Sequence, residues 1–297
     1  MRVFILASLM VLAATPVLAQ RPTTLTPEDM AARAEVKKIT AKKIVLVGDS
    51  TTAVIGGWGP SFCAQHLTSF VACVNLARGG RSTFNYRAEG SWDVALAEMT
   101  SGGFDKTYVL IQFGHNDQPG KPGRSTDLET EFPQNLKRYV EEVRAAGAIP
   151  VLVTPLTRRG FKNGVLENDL GPWAEATRKV AADMDVPLVD LYARSQEAVQ
   201  DMGAVAAMRF AQKPPSDPVR EAGKTGNTIP GSTGVVPVPA MTPVTEAQIR
   251  ATTEPMGQAR LSFDYTHLGR EGADFFAAMV TRELAKVVPE LRKDLIP

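Results

Sequence analysis

A short β-branched run, Ile44–Val47, stops abruptly in Gly48-Asp49-Ser50, and this feature most narrows what the chain can fold into. Apolar at consecutive positions, the run suits a strand covered on both faces, as in a parallel sheet. Small polar residues at its end deliver side chains to the sheet's carboxyl edge, where open α/β sheets bind ligands. A serine at that edge serves either as a helix cap or as a nucleophile. Four more strand candidates follow: Val74–Ala77, Tyr108–Phe113, Ile149–Thr154 and Leu188–Leu191. Helical patterns lie between them. The clearest, Leu128–Ala146, places Leu136, Tyr139, Val140 and Val143 on one face and stops at Gly147. Ala174–Met184 precedes the fifth strand, and Gly269–Val287 closes the chain. Strands alternating with helices predict right-handed crossovers and one α/β domain over residues 42–297, a three-layer α/β/α sandwich on a five-stranded parallel sheet.

The first residues obey a different logic. Met1-Arg2 opens a stretch that stays apolar from Val3 to Leu18, broken only by Ala, Ser, Thr and Pro, and Val17-Leu18-Ala19 offers a small-residue cleavage site. This pattern predicts a cleaved signal peptide over 1–19 and an exported, periplasmic or secreted protein. A membrane anchor would need about 20 apolar residues, and Pro16 interrupts this run. Residues 20–41 read as a polar leader with a short helix starting at Thr26-Pro-Glu-Asp. The chain has 33 Lys and Arg against 32 Asp and Glu, and loss of Arg2 with the signal peptide makes the two equal. No basic stripe stands out, which argues against nucleic acid as the partner. No other stretch is long and apolar enough for membrane insertion.

Two cysteines, Cys63 and Cys73, invite a disulfide in an exported chain. Closing so short a loop contributes about 2–3 kcal/mol by chain entropy. Two buried free thiols are the alternative. Neither cysteine has a second cysteine or a histidine at metal-ligand spacing. Residues 211–260 break the strand–helix rhythm with eight prolines, from Pro214 to Pro255. Proline at that density forbids a long helix or a central strand. An insert of this length is either a functional lid or a disordered segment.

The chain has three histidines. His66 falls within a predicted helix and reads as structural. His115 reads as a structural hydrogen-bonding group beside Asn116, with a substrate contact as the alternative. His267 belongs to Asp264-Tyr265-Thr266-His267, just before the last helix. An acid three residues ahead can turn back and accept the imidazole Nδ1–H, which leaves Nε2 free to take a serine proton. Joined to Ser50, the pair makes nucleophile, base and orienting acid. The Gly-x-Ser-x-Gly elbow of α/β-hydrolases is absent, since the sequence here is Gly48-Asp-Ser-Thr-Thr52. Acyl transfer also needs donors aimed at the developing oxyanion. The loop Ala77-Arg-Gly-Gly80 and Asn116, in Gly114-His-Asn-Asp117, follow the second and third strands and can supply them. Arg78, Arg81, Arg87, Arg158 and Arg159 could meet an acidic sugar, but they read as solvated surface charges.

Four blocks, Gly48-Asp-Ser-Thr51, Gly80-Arg-Ser82, Gly114-His-Asn-Asp117 and Asp264-x-Thr-His267, resemble those of the SGNH or GDSL hydrolases, and within them the rhamnogalacturonan acetylesterase group. The resemblance implies a flavodoxin-like fold, with Ser50 as nucleophile, His267 as base and Asp264 as its orienting acid. It implies an oxyanion hole made by the N–H groups of Ser50 and Gly80 and the side chain of Asn116. It also implies no metal or organic cofactor, and an O-acetyl ester on a cell-wall polysaccharide such as pectin as substrate. The Pro-rich insert departs from the family pattern. A lipid or thioester hydrolase on the same scaffold is a second reading. A carbohydrate-binding protein without turnover is a third, and the complete Ser, Gly, Asn, Asp and His set argues against it.

Overall fold

The computed structural model describes residues 24–231 and 261–297. The proposed signal peptide, and residues 232–260 of the Pro-rich insert read over 211–260, lie outside the described residues. Helix α1 (Pro27–Ala34) starts where predicted: the Thr26 hydroxyl accepts from Asp29 N–H while the Asp29 carboxylate accepts from Thr26 N–H. This reciprocal pair satisfies two of the donors that a helix start leaves unpaired.

Residues from Thr40 onward form a separate unit. Its five parallel strands are β1 (Lys42–Gly48), β2 (Val71–Asn75), β3 (Thr107–Gln112), β4 (Ile149–Val153) and β7 (Leu188–Val189), in the order β2-β1-β3-β4-β7. That is the predicted α/β sandwich, with a doubly wound flavodoxin-like strand order. Strand geometry sends alternate side chains to opposite faces. Ile44, Leu46, Tyr108, Leu110, Val151 and Val153 therefore pack on one side, against α2 (Gly59–Gln65), α7 (Leu191–Ala207) and α9 (Arg270–Val287). Val45, Val47, Val109, Ile111 and Leu152 pack on the other, against α3 (Asn85–Ala88), α4 (Ser91–Thr100), α5 (Glu131–Ala145) and α6 (Gly171–Asp183). Each fully buried aliphatic chain is worth about 1.5–3 kcal/mol, so cover on both faces is what makes the consecutive apolar positions of β1 and β3 favourable.

Most predicted elements lie where their patterns put them, and the differences have local causes. Helix α5 buries Leu136, Tyr139, Val140 and Val143 as expected, and Phe132 with them, but begins at Glu131. Asp127 holds the preceding turn by accepting the N–H groups of Glu129 and Thr130, which competes with helix. Strand β2 is shifted toward the N-terminus, because Val71–Asn75 pairs with Lys42–Leu46 and Asn75 Oδ1 then takes the N–H of Ala77. A hairpin of β5 (Phe161–Lys162) and β6 (Val165–Leu166) was not predicted. Its Asn163-Gly164 turn, with φ of 53° and 79°, is a sequence signal for such a hairpin. Pro218 sits in the first turn of the short α8 (Asp217–Lys224), the position a helix tolerates.

Cys63 on α2 and Cys73 on β2 form a disulfide. Two loops are tied together by Asp117. Its buried carboxyl accepts from Thr83 N–H and Oγ1, from Thr126 Oγ1 and from Gly114 N–H. Burial pushes it up to about 6, against those hydrogen bonds.

Replacing both cysteines by serine should remove about 2–3 kcal/mol of stability, read as a lower urea midpoint; an unchanged midpoint would mean the crosslink is energetically idle. For Asp117, a pKa raised in the folded state favours the neutral carboxyl. Its contribution is complete below the unfolded carboxylate range and is lost as pH rises through about 6, a change on the order of 2–3 kcal/mol. Asp117→Asn should abolish that part of the pH dependence while lowering stability at every pH. Parallel stability–pH curves for variant and parent would refute it.

Candidate active site

The parallel register sets Gly48 opposite Gln112, at the ends of β1 and β3. A Cβ on Gly48 would sit 2.5 Å from the Gln112 carbonyl oxygen, so only glycine lets the two strand ends close together here. The chain then turns. Asp49, fully buried, accepts from Thr51 N–H and Oγ1 at 2.8 Å each, and its carbonyl accepts from Thr52 and Ala53 N–H. Gln112 donates to Thr51 Oγ1 at 2.6 Å and accepts from Trp58 Nε1 at 2.7 Å. Asn75 Nδ2 donates to Thr52 O. Side chains from the first three strand ends thus hold the turn that carries Ser50.

His267 Nε2 lies 2.9 Å from Ser50 Oγ, across 217 residues of sequence, and His267 Nδ1 lies 2.8 Å from Asp264 Oδ2. The other Asp264 oxygen accepts the N–H groups of Thr266 and His267, at 2.7 and 2.6 Å. Burial raises the Asp264 carboxyl, but the imidazole and these two N–H groups outweigh it and hold it below the ordinary carboxylate range. A carboxylate acceptor at Nδ1 fixes the tautomer in which Nε2 can take a proton from Ser50. The imidazole is also held by Gly56. A Cβ there would approach the ring carbon Cδ2 at 3.3 Å and the His267 Cβ at 3.4 Å, φ is +89°, and Gly56 O accepts Leu268 N–H.

The hole candidates gather at the same edge. A Cβ on Gly79 would come within 3.7 Å of Ser50 Cβ, which puts the Gly79-Gly80 turn against the nucleophile candidate. Asn116 is nearly buried and donates one amide hydrogen to Arg81 O at 2.9 Å. Its second amide hydrogen is free to serve a ligand. An open cleft of about 440 Å³ exposes Ser50, Gly79, Asp264 and His267, with Ala53, Val54 and Ile55 as an apolar lip.

Other predicted residues sit away from this cleft. His66 is structural, as expected: it caps α2, buried, with Nδ1 2.7 Å from Ile296 O. His115 is buried, with Nδ1 3.4 Å from Asp49 Oδ2. Burial holds its pKa down against the Asp49 charge. The hydrogen bond expected of it is replaced by this looser pairing. Arg81 and Arg87 are paired with Glu89 and Glu142. Arg159 departs from the expectation of a surface charge, being 1% exposed. Sequence reasoning also passed over the supporting roles of Gln112, Asn75 and Gly56, whose partners lie on segments distant in sequence, and of Asp49, whose burial against His115 leaves no local pattern.

Residues 46–212 match the GDSL-like lipase/acylhydrolase family. Two similar proteins of Bacillus subtilis (strain 168) are a rhamnogalacturonan acetylesterase, RhgT, and a protein named "Probable rhamnogalacturonan acetylesterase YesY". Each is 36% identical over 57% and 52% of this chain respectively, and 72% of its own length. Among solved structures, the fold is similar to that of YxiM from Bacillus subtilis, with a TM-score of 0.57 and 20% identity, covering 84% of this chain and 57% of that one. The chain thus belongs to the GDSL-like lipase/acylhydrolase, or SGNH, family and is a rhamnogalacturonan acetylesterase-like carboxylic ester hydrolase.

Proposed function

We propose that this acetylesterase is an exported serine hydrolase that removes O-acetyl groups from an acidic cell-wall polysaccharide of the rhamnogalacturonan type. The observation that carries the mechanism is the continuous line Ser50 Oγ, His267, Asp264, with contacts of 2.9 and 2.8 Å. Ser50 attacks the acetyl carbonyl while His267 Nε2 takes its proton. The N–H groups of Ser50 and Gly80 and the amide of Asn116 receive the oxyanion. Protonated His267 then returns its proton to the departing sugar hydroxyl, leaving an acetyl-Ser50 ester. Water, deprotonated by His267, releases acetate and restores Ser50.

Substrate and location have separate support. Three cations flank segments that carry site residues. Arg124 Nη1 lies 3.4 Å from where a Gly80 Cβ would be, Lys121 contacts His115 O, and Arg158 Nε is 3.3 Å from Thr266 Oγ1. Arg158 pairs with Asp169, whereas Lys121 and Arg124 have no carboxylate partner among the described residues. Burial, then the fields of Arg158 and Arg124, hold the Lys121 ammonium below its usual range. A uronate carboxylate would relieve that repulsion. Export rests on the residue 1–19 pattern and on the disulfide, which suits an oxidising compartment.

Ser50→Ala should cut p-nitrophenyl acetate turnover by at least about 10⁴-fold with the fold intact, and activity near the parent's would end the mechanism. Asn116→Ala should lower kcat by about 10²–10³-fold with KM little changed. The parent should release acetate from acetylated rhamnogalacturonan and lose activity as the acyl chain lengthens from acetate to octanoate. Preference for octanoate would favour a lipid ester instead.

A further inference from the structure

Arg159 donates to the backbone carbonyls of four consecutive residues, those of the turn that carries the acid and the base. Its main-chain N–H reaches Tyr265 O at 2.9 Å. Its guanidinium reaches His267 O at 2.9 Å and Asp264 O at 3.1 Å through Nη2, and Thr266 O at 3.3 Å through Nη1. The side chain is buried, and Nε has no hydrogen-bond partner. No carboxylate of the described residues forms an ion pair with it, and the nearby negative charge that favours its protonated form is Asp264 itself. Burying an arginine this way is costly unless each donor finds work. A turn needed only as chain connection would not require four donors from one residue.

We propose that Arg159 is a positioning residue for the reaction, a rigid fork that holds the Asp264–His267 turn so that Nε2 meets Ser50 Oγ. This rests on the reading of Ser50, His267 and Asp264 given above. The turn is clamped from two sides. Arg159, on the loop after β4, holds its carbonyls, and Gly56, on the loop after Ser50, accepts Leu268 N–H at 2.8 Å. Arg159 does not itself line the cleft and contacts its lining only through the backbone carbonyls of Asp264 and His267, so it acts through backbone geometry. The planar guanidinium matters because two nitrogens in fixed relation reach three carbonyls, which a point-charge ammonium cannot reproduce. A misplacement of about 1 Å at a reacting group costs on the order of 10²-fold in rate.

The test uses the full-length protein with p-nitrophenyl acetate, and compares Arg159→Met, Arg159→Lys and Ser50→Ala. Arg159→Met should lower kcat about 10²-fold with KM within threefold of the parent. Loss of a buried positive charge beside the Asp264–His267 pair makes the imidazolium easier to form, so the acid limb of the rate profile should move to higher pH. Arg159→Lys keeps the charge without the fork. It should keep the acid limb in place while kcat falls at least tenfold, and Arg158, which contacts Thr266 Oγ1, is present in both. Melting curves report folding separately. If Arg159→Met does not fold, Arg159→Lys decides: parent-like kcat in a folded Lys variant overturns the proposal. A kcat loss that only tracks the unfolded fraction overturns it too. Turnover surviving in Ser50→Ala would instead refute the underlying site, whereas an inactive Ser50→Ala beside normal Arg159 variants would refute the positioning role alone.

Discussion

The parallel contact between β1 and β3 is the constraint on which the candidate site depends. Pairing Gly48 with Gln112 brings two strand ends so close that any side chain on Gly48 would meet a backbone carbonyl. That closeness lets Gln112 bridge to Thr51 and Trp58, and leaves Ser50 at the lip of the sheet instead of within it. The same register sends the segment after β3, with Asn116, to the same edge. Glycine here serves close approach, and the hydrogen bonds around Asp49 do the rest. The buried Asp49 carboxyl stays below the usual carboxylate range, because His115 and Thr51 outweigh its burial.

The second half of the site has a different problem. Asp264 and His267 sit within one turn, so their mutual geometry is local, but their distance from Ser50 is not. Nothing in three intervening bonds dictates where such a turn docks. Docking is done by backbone hydrogen bonds: four carbonyls to Arg159 and one N–H to Gly56 O. These add to the burial of α9, whose Phe276, Val280 and Leu284 anchor the following helix on the sheet. The acid–base pair can remain partly open to the cleft because its support lies behind it, in buried groups.

Much of this was legible in the sequence because it is periodic or local. Short continuous apolar runs mark the strands, a 3.6-residue pattern marks the long helices, and Thr26-Pro-Glu-Asp marks a cap. The Asp264-to-His267 spacing announces a hydrogen bond confined to one turn. The short β5–β6 hairpin carried an Asn163-Gly164 signal that a strand-length pattern overlooks, since each strand has only two residues. The end of β2 was misjudged because register, and not hydrophobicity, decides where an edge strand leaves the sheet.

By itself the sequence determined the α/β class, the small turn after Ile44–Val47 and the chemical identity of Ser50, Asp264 and His267. Tertiary structure alone decided which polar residues support them. Arg159 looks like any loop arginine in sequence, yet packing encloses it, and enclosure turns its two terminal guanidinium nitrogens, with its main-chain N–H, into a clamp on one turn. Asp49 looks like a turn former, yet it is buried against His115. The physical reason is common to both. Burial and hydrogen-bond partnership are properties of distant segments brought together, and no local pattern of residue types encodes them.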